Sequence, residues 1–446
     1  MDRGHSRWKG LLASLAAFTL IAAACGDGGG DGEEREAAGD LEGQTVEVAA
    51  VWTGAEQERF QMILDAFGEE TGAQTTFTST GDDIAAVLGP RIEAGDPPDL
   101  AILPQPGLVT DFVDQGALQP IDDVAGDEVD ENFPSSWREL FTHDGQLYGV
   151  FFKAANKSTM WYSVPTFQNA GVEPPEDWDA LQQSAQTISD FGVTPYSIGG
   201  GDGWTLSDWF ENIYIRVAGP EEYDQLATHE IPWTDQSVKD ALTVFADVVA
   251  NDELIAGGTN GALQTGFEDS VAQVFADPQN PDAAIVYEGD FVAGVISGET
   301  NAQLGQDADF FPFPSIEGSE PSVIAGGDTA VLMKDSEGGK ALIEFLATPE
   351  AAEIWAREGG FISPSPNVDT SVYPDDITRR AAEGFVEAGE NARFDLSDLQ
   401  PAEFGATTGE GIWGLLQEFV RNPGDVDAIS QQLEDAAGRA YGGGGG

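Results

Sequence analysis

Two hydrophobic periods alternate between Thr45 and Leu103, and this alternation constrains the fold more than any other feature of the sequence. Thr45–Trp52 and Thr75–Thr78 are short apolar runs typical of strands. Between them, Glu56–Gly68 carries apolar residues at i, i+3, i+4 and i+7, and it ends in glycine as helices commonly do. A third apolar run follows Pro97-Pro98. The order strand, helix, strand, helix, strand predicts a mostly parallel α/β sheet.

The composition limits the class of protein and its partners. A chain of 446 residues with 41% hydrophobic residues and ten tryptophans is long enough for two or three globular domains. Its 79 acidic and 19 basic residues give a formal net charge of −60. A nucleic-acid-binding protein needs a basic surface, so nucleic acid is excluded as a partner. The same charge favours a neutral or cationic ligand over an anionic one.

The N-terminal segment has the form of an export signal. Three basic residues precede the apolar stretch Leu11–Ile21, and three alanines then lead to Cys25. This arrangement resembles the bacterial lipoprotein signal, in which that cysteine is lipidated, although a plain secretory signal has a similar apolar region. Cys25 is the only cysteine of the chain, so it has no intrachain disulfide partner, which favours lipidation.

The two ends of the mature chain are predicted to be flexible. Residues 25–42 are rich in glycine and acids, without hydrophobic periodicity, and indicate a tether. Residues 442–446 are all glycine and indicate a disordered tail. With residues 1–24 as the signal peptide, the protein is expected outside the cytoplasm, held by a lipid on the outer face of the cell membrane.

The stretch His143–Val164 contains two strand-like runs with a polar segment between them. Leu147–Phe152 and Ser158–Val164 are apolar, whereas Lys153–Lys157 places two lysines beside an asparagine. One interpretation is a buried hairpin with a solvated tip, and the other is a passage between two lobes. The polar segment supplies two candidate ligand-binding residues, Lys153 and Asn156.

Further candidates lie in loops that follow predicted strands, where α/β sheets bind their ligands. These loops contain Trp52, Thr53 and Glu56 after the first strand and Gln105 after the third. They would form one wall of a ligand site. Trp52 has an equally reasonable alternative position as a cap on the core.

A glycine-rich loop at Gly199–Gly203 leads into a helix that begins with Trp204. Glycines allow a loop to approach a ligand closely. Aromatic faces stack on the C–H faces of sugars, and carboxylates accept hydrogen bonds from hydroxyl groups. We therefore predict that Trp204 and Asp208 face a ligand, whereas Trp209 packs in the core.

Several motifs in this order resemble the sugar-binding lipoproteins of ABC importers. They include D-G-Q-L-Y-G-V at 144–150, A-G-D-P-P-D at 94–99 and P-P-E-D-W at 174–178. The resemblance implies an α/β, two-lobed, periplasmic-binding-protein-like (type II) fold with a hinge of about three crossovers. The implied lobes are 43–152 plus 328–367, and 153–327 plus 368–441.

The resemblance also implies further ligand-binding residues. In G-D-F, Phe291 stands where the family has a sugar-stacking tryptophan, and Glu288 and Asp290 flank it. Gly327 and Asp328 lie in the segment that resembles the second crossover, where glycine supplies hinge freedom. Trp413, in G-E-G-I-W-G, is expected at the edge of the cleft.

The expected function is capture of a sugar, an α-glucoside or other oligosaccharide, and its delivery to the transmembrane subunits of an ABC permease. The spacing around Trp204 resembles the α-glucoside-binding members. We expect a monomer without catalytic residues or a cofactor. We also expect no metal site, because only His143 and His229 lie outside the signal as possible histidine ligands. The alternatives are a glycoside hydrolase using two carboxylates, or a binding protein for an amine or peptide.

Overall fold

The strands follow the predicted alternation. A computed structural model describes residues 41–388 and 392–442. Its strands are β1 Thr45–Ala50, β2 Gln74–Ser79, β3 Leu100–Leu103, β4 Thr142–His143, β5 Gln146–Leu147, β6 Gly149–Asn156, β7 Thr159–Ser163, β8 Thr194–Ser197, β9 Ala283–Glu288, β10 Ala308–Pro312, β11 Val323–Leu332 and β12 Ala392–Phe394.

Helices connect and cover these strands, with short 3₁₀ turns at Asp252–Leu254 and Thr370–Val372. The helices are α1 Gly54–Thr71, α2 Ile84–Glu93, α3 Pro106–Asp114, α4 Asp122–Asn132, α5 Ser135–Leu140, α6 Val164–Ala170, α7 Trp178–Phe191, α8 Trp204–Ala218, α9 Pro220–Ala227, α10 Gln236–Val249, α11 Gly258–Ala262, α12 Phe267–Phe275, α13 Val292–Glu299, α14 Glu337–Leu346, α15 Pro349–Ala356, α16 Asp376–Ala388, α17 Leu396–Leu399, α18 Ala402–Gly405, α19 Gly411–Arg421 and α20 Val426–Gly442.

The first βαβ units form as the hydrophobic periods require. Helix α1 buries its predicted stripe, including Phe60 and Phe67, and ends at Gly72, which adopts φ 79° in the left-handed region. Strand β1 pairs in parallel with β2 on one side and β3 on the other. The parallel α/β arrangement predicted from this part of the sequence is therefore confirmed, although other strands of both sheets pair antiparallel.

Two sheets organise the described residues. The larger has the order β12-β11-β3-β1-β2, with β6 pairing β11 on its other side. The smaller has the order β10-β7-β9-β8, and β4 and β5 form a separate two-stranded ribbon. Strand β11 runs antiparallel to both β3 and β6, so it ties the returning chain into the first sheet.

The stretch His143–Val164 is a passage between sheets and not a hairpin. Strand β6 belongs to the larger sheet, and β7, three residues later, belongs to the smaller one. The predicted polar break at Lys153–Lys157 is wrong over most of its length, because Lys153 to Asn156 continue β6 and are buried. Pairing with β11 satisfies the backbone there, and carboxylates neutralise the lysines.

The chain returns to the larger sheet through β11 and comes close to β6 again where Ile362 bridges Ala154. The division into lobes remains a prediction. Strand β12 joins the larger sheet although residues 368–441 are predicted to belong to the second lobe. The first half of β11 offers β12 a free edge, which a local pattern does not reveal.

The folded part starts before the predicted boundary at residue 43. Leu41 is buried, and its N–H donates a hydrogen bond to the Thr71 carbonyl. At the other end, α20 includes Gly442. The predicted signal peptide, the lipidation site Cys25 and most of the tether and tail lie outside the described residues. Among the helices described, none combines the length and apolar character needed to cross a membrane.

Candidate functional site

A cavity of about 160 Å³ lies where loops from both sheets meet. Its walls come from the loops after β1 and β3, the paired strands β6 and β11, and the first turns of α8 and α12. The turn after β9 and the α17 and α19 segments complete it. The carboxyl ends of strands thus contribute to the site, as open α/β sheets require.

Most of the sequence-predicted ligand-binding residues meet at this cavity. Eleven of them line it: Trp52, Thr53, Glu56, Gln105, Lys153, Trp204, Asp208, Phe291, Gly327, Asp328 and Trp413. They come from segments far apart in the chain, so their convergence is a property of the tertiary structure. Their contact with a ligand remains a prediction.

Three predicted residues lie behind the cavity wall. Asn156 donates its backbone N–H to Asp290 Oδ1 at 2.6 Å and its side-chain amide to the Ala381 carbonyl. Glu288 is 1% exposed and faces Asp208. These side chains hold the wall and do not line the cavity; Asn156 and Glu288 end β6 and β9, and Asp290 lies in the turn after β9.

Trp204 stands at the start of α8, half-buried, and forms an aromatic wall with two phenylalanines. Its ring centroid lies 5.4 Å from Phe267 and 6.2 Å from Phe291. The preceding Gly203 adopts φ 87°, and a Cβ there would lie 2.9 Å from Trp413 Cβ. Glycine is therefore required for α8 to begin against Trp413. Trp209, one turn further, is 1% exposed and packs in the core, as predicted.

Trp52 satisfies both interpretations made from the sequence. Its ring packs edge-on against Trp355 at 4.8 Å and tilted against Phe60 at 4.9 Å, and it is 3% exposed. One edge nevertheless lines the cavity. Trp52 therefore closes the core of the larger sheet and forms part of the floor of the site.

Lys153 is a buried cation at the larger-sheet side of the cavity. Its Nζ lies 2.6 Å from Glu56 Oε1 and 3.6 Å from Asp328 Oδ2. The ammonium also lies within 6 Å of the ring centroids of Trp52, Phe291 and Trp355. Burial disfavours the charge, but the two carboxylates raise the pKa of Lys153 above its ordinary value.

Lys157 neutralises a second, more crowded group of carboxylates. Its Nζ lies 2.5 Å from Asp395 Oδ2, 3.3 Å from Asp208 and 3.8 Å from Asp398 Oδ2. All three carboxyls are buried. Glu211 lies behind them, where it accepts hydrogen bonds from the backbone N–H groups of residues 396 and 397.

One ammonium group does not neutralise so many buried carboxyls. The pKa values of these carboxyls therefore differ from one another. Burial opposes ionisation of Asp395, yet Lys157 lowers the pKa of that carboxyl to about 2. Burial raises the pKa of Asp208 to about 7, against the attraction of Lys157. Burial and the Asp208 charge raise the pKa of Glu288 well above its ordinary value, so a protonated Glu288 can donate a hydrogen bond to Asp208.

The carboxylate cluster fits an internal ammonium better than a metal ion. Oxygen atoms of Asp208, Glu211 and Asp395 lie within 4.8 Å of one another, which is compatible with a cation site. However, Lys157 Nζ already lies within 3.3 Å of two of these carboxylates. The lysine thus supplies the positive charge that a metal would otherwise provide.

Helices from the two sheets touch beside the cavity. The Thr53 hydroxyl donates to Glu268 Oε1 at 2.8 Å, and the Ala55 N–H donates to Glu299 Oε1 at 3.3 Å. Where α13 crosses α1, a Cβ on Gly298 would lie 2.5 Å from Ala55 Cβ. Glycine permits this approach, and the contact encloses the cavity on one side.

Some cavity residues were missing from the predicted site. They are Val51, Asp82, Pro104, Ala155, Lys157, Phe267, Glu268, Ser397 and Asp398. Lys157 had a usable signal, since it is the second lysine of the predicted polar break. The sequence D-L-S-D at 395–398 forms a helix cap, in which Asp395 accepts a hydrogen bond from the Asp398 N–H, and nothing in it points to a ligand site.

Comparison with known proteins settles the family. The family model for bacterial extracellular solute-binding proteins matches residues 52–353. The chain belongs to the bacterial extracellular solute-binding proteins. Its fold is the two-lobed type II fold of this family: it superposes on the bacterial solute receptor AcbH with a TM-score of 0.77 and 21% identity, covering 90% of this chain and 98% of that one.

Two curated relatives of this solute-binding protein span most of both chains. The osmoprotective compounds-binding protein GgtB of Synechocystis sp. is 34% identical over 86% of this chain and 90% of its own length. The alpha-glucosides-binding periplasmic protein AglE of Rhizobium meliloti is 32% identical over 91% of this chain and 90% of its own. The chain therefore covers nearly the whole length of both relatives.

Proposed function

We propose that the protein captures a neutral sugar, an α-glucoside or other oligosaccharide, in the cavity between its two sheets and delivers it to an ABC permease. The observation that carries this proposal is the half-buried ring of Trp204, set beside carboxyls and ammonium groups in one cavity. An aromatic face with hydrogen-bonding groups at its edge matches the two surfaces of a pyranose.

The relatives support this ligand class. AglE is described as binding α-glucosides, and it aligns with nearly the whole of this chain. AcbH, a receptor with a preference for β-D-galactopyranose, shares the fold. The amine or peptide alternative has less support, because two lysine ammonium groups line the cavity and would face a cationic ligand with a like charge.

The proposal includes closure and anchoring. A ligand held between groups from both sheets favours the enclosed arrangement, and the permease would recognise this form. Lipidation of Cys25 would keep a monomeric binding protein at the outer face of the membrane, with residues 26–42 as the tether.

A thermal-shift screen of the purified protein tests the ligand class. Trehalose, maltose, sucrose and raffinose are compared with spermidine and a tripeptide. A ligand at a hundred times its dissociation constant adds about 2.7 kcal/mol to the free energy of unfolding. A shift with the cation or peptide alone would overturn the proposal. Hydrolysis of a bound sugar that survives repurification of the protein would favour the hydrolase alternative.

A further inference from the structure

Lys157 and Asp398 lie side by side at the cavity without a hydrogen bond between them. Lys157 Nζ lies 3.8 Å from Asp398 Oδ2, which is too long for a hydrogen bond. Two nearer carboxylates, Asp395 and Asp208, occupy other donor directions of the ammonium. Within residues 41–388 and 392–442, no donor forms a hydrogen bond to the Asp398 carboxyl, although its side chain is only 8% exposed. Both groups line the cavity.

The position of Asp398 is fixed by its own segment. Asp395 Oδ1 accepts hydrogen bonds from the Asp398 N–H at 3.0 Å and from the Ser397 hydroxyl at 2.8 Å, which caps α17. On the other side, a Cβ on Gly107 would lie 2.1 Å from the Gln400 carbonyl oxygen. The close backbone contact holds the carboxyl at the cavity. The segment lies beyond residues 52–353, the part matched by the family model.

We propose that Lys157 and Asp398 bind one hydroxyl group of the ligand between them and thereby restrict the site to neutral polyhydroxylated ligands. This inference rests on the proposed function and names the ligand class of the same cavity. A hydroxyl group both accepts and donates, so it can accept from the ammonium and donate to the carboxyl. An oxygen beside the pair can lie about 2.8 Å from both Lys157 Nζ and Asp398 Oδ2, because these two atoms are only 3.8 Å apart.

Charged ligands fail at this pair for different reasons. A ligand ammonium has no lone pair to accept the Lys157 N–H, and it would face a like charge. A ligand carboxylate would add a further negative charge beside Asp395 and Asp208, in a group where burial and the Asp395 charge already raise the pKa of Asp398 well above its ordinary value. Lys157 Nζ lies 5.7 Å from the Trp204 ring centroid, so a pyranose that contacts this ring is also within reach of the pair.

A purely structural role for Asp398 makes a different prediction. If the carboxyl served only to neutralise Lys157, its removal would destabilise the ligand-free protein. Asp395 and Asp208 are closer to the ammonium and would remain. We therefore expect Asp398→Ala to keep or raise the ligand-free melting temperature, because it removes one of several crowded buried carboxyls.

Calorimetric titration separates these roles. Wild type, Asp398→Ala and the control Asp435→Asn, an exposed carboxyl on α20, are titrated with trehalose, maltose and sucrose. Loss of a hydrogen bond to an ionic group weakens binding by about tenfold or more, and the control should stay within about twofold of wild type. Glucose should displace a bound disaccharide at least about tenfold more effectively than glucosamine or glucuronate at pH 7.

The outcomes distinguish this inference from the proposed function. If the wild type binds none of the neutral sugars, the proposed function fails. If it binds them but Asp398→Ala binds equally well, or if the charged sugars compete as well as glucose, only this inference fails. Should Asp398→Ala not yield folded protein, Asp398→Leu removes the acceptor, keeps the branching at Cγ and leaves no empty space, and the same loss of affinity is expected.

Discussion

Individual side chains of the cavity divide into those that can contact a ligand and those that hold the wall. Trp204 and Asp208 face the cavity, whereas Asn156 and Asp290 hydrogen-bond each other behind it. All four were predicted as ligand-binding residues, from a glycine-rich loop, a polar segment and a family resemblance. The distinction depends on which way a strand or turn directs each side chain, so only the structure provides it.

Replacement of Trp204 with alanine tests the aromatic wall. Because Trp204 is half-buried, we expect a small loss of ligand-free stability but a cost of about 2 kcal/mol or more in binding, a roughly thirtyfold higher Kd. The matched control is Trp209→Ala in the same helix, where a fully buried ring is lost and stability should fall by about 3–5 kcal/mol. Unchanged affinity in Trp204→Ala would remove that residue from the site.

Asp290 provides a prediction for pH. Its Oδ2 is buried without a hydrogen-bond partner among the described residues, and burial raises the pKa of Asp290 to about 7. The pKa of an unfolded aspartate is about 3.9. The folded state therefore binds the proton more tightly than the unfolded state. The contribution of Asp290 to the free energy of unfolding is full below pH 4 and is lost as pH rises through 7.

The variant Asp290→Asn does not titrate. The melting temperature of this variant, relative to that of wild type, should therefore rise between pH 5 and pH 8. The amide oxygen can still accept the hydrogen bond from the Asn156 N–H. Asp435→Asn, with the same change at an exposed position, should show no such trend. A constant difference between Asp290→Asn and wild type across this range would contradict the assignment.

The limits of sequence reasoning are clearest at Phe267 and Asp398. Phe267 is the first residue of a helix whose apolar spacing predicts core packing, and Asp398 lies in a helix cap. Phe267 lies 63 residues after Trp204 in the sequence, and Asp398 lies further still. Both reach the cavity because segments that are distant in the sequence pack together. Local patterns encode the period of an element and its ends, and they carry no information about such long-range neighbours.

At the level of elements, local chemistry was a better guide. Helix α10 begins after Asp235, whose carboxylate accepts a hydrogen bond from the Ser237 N–H, and it buries Val238, Leu242 and Phe245 at helical spacing. Helix α15 begins at Pro349 with Thr348 as its cap. The full length of strand β6 was not predicted, because a lysine in a polar segment is typical of a loop. Only the partners Glu56 and Asp328 make that burial favourable.

The contact between α1 and α13 should control the enclosure of the ligand. In Gly298→Leu, even the first added carbon meets Ala55 Cβ, so the two helices must separate. We expect ligand affinity to fall about tenfold or more with little change in the ligand-free melting temperature. The effect is measured by calorimetric titration, with small-angle scattering to follow the radius of gyration.

The control for this variant is Gly438→Leu, in a helix where an added Cβ has nothing within 4 Å. It carries the same loss of glycine without a collision. Equal affinities in the two variants and in wild type would show that the α1–α13 contact is not required for binding.

For the whole molecule, the fold could be predicted from motif order together with the strand and helix periods. The alternation up to β3 and the passage at β6 and β7 already imply two sheets. The edge position of β12 could not be predicted, because a three-residue strand carries too little pattern. The net charge of −60 excluded nucleic acid as a partner but did not indicate where the ligand site lies.

Membrane attachment is tested by Cys25→Ser. The single cysteine would no longer accept a lipid, so the protein should move from the membrane to the soluble fraction with unchanged sugar affinity. Fractionation without detergent measures the first effect and titration the second. Membrane association that persists in this variant argues against lipidation of Cys25.

The close approach of α1 and α13 also has a practical use. Gln57 on α1 and Ser297 on α13 are exposed near this contact. In a Cys25→Ser background, cysteines introduced at these two positions are the only thiols of the chain and can carry a fluorescent donor and acceptor. If ligand binding brings the helices together, energy transfer between the dyes rises with sugar concentration, and the protein becomes an optical sensor that needs no added reagent.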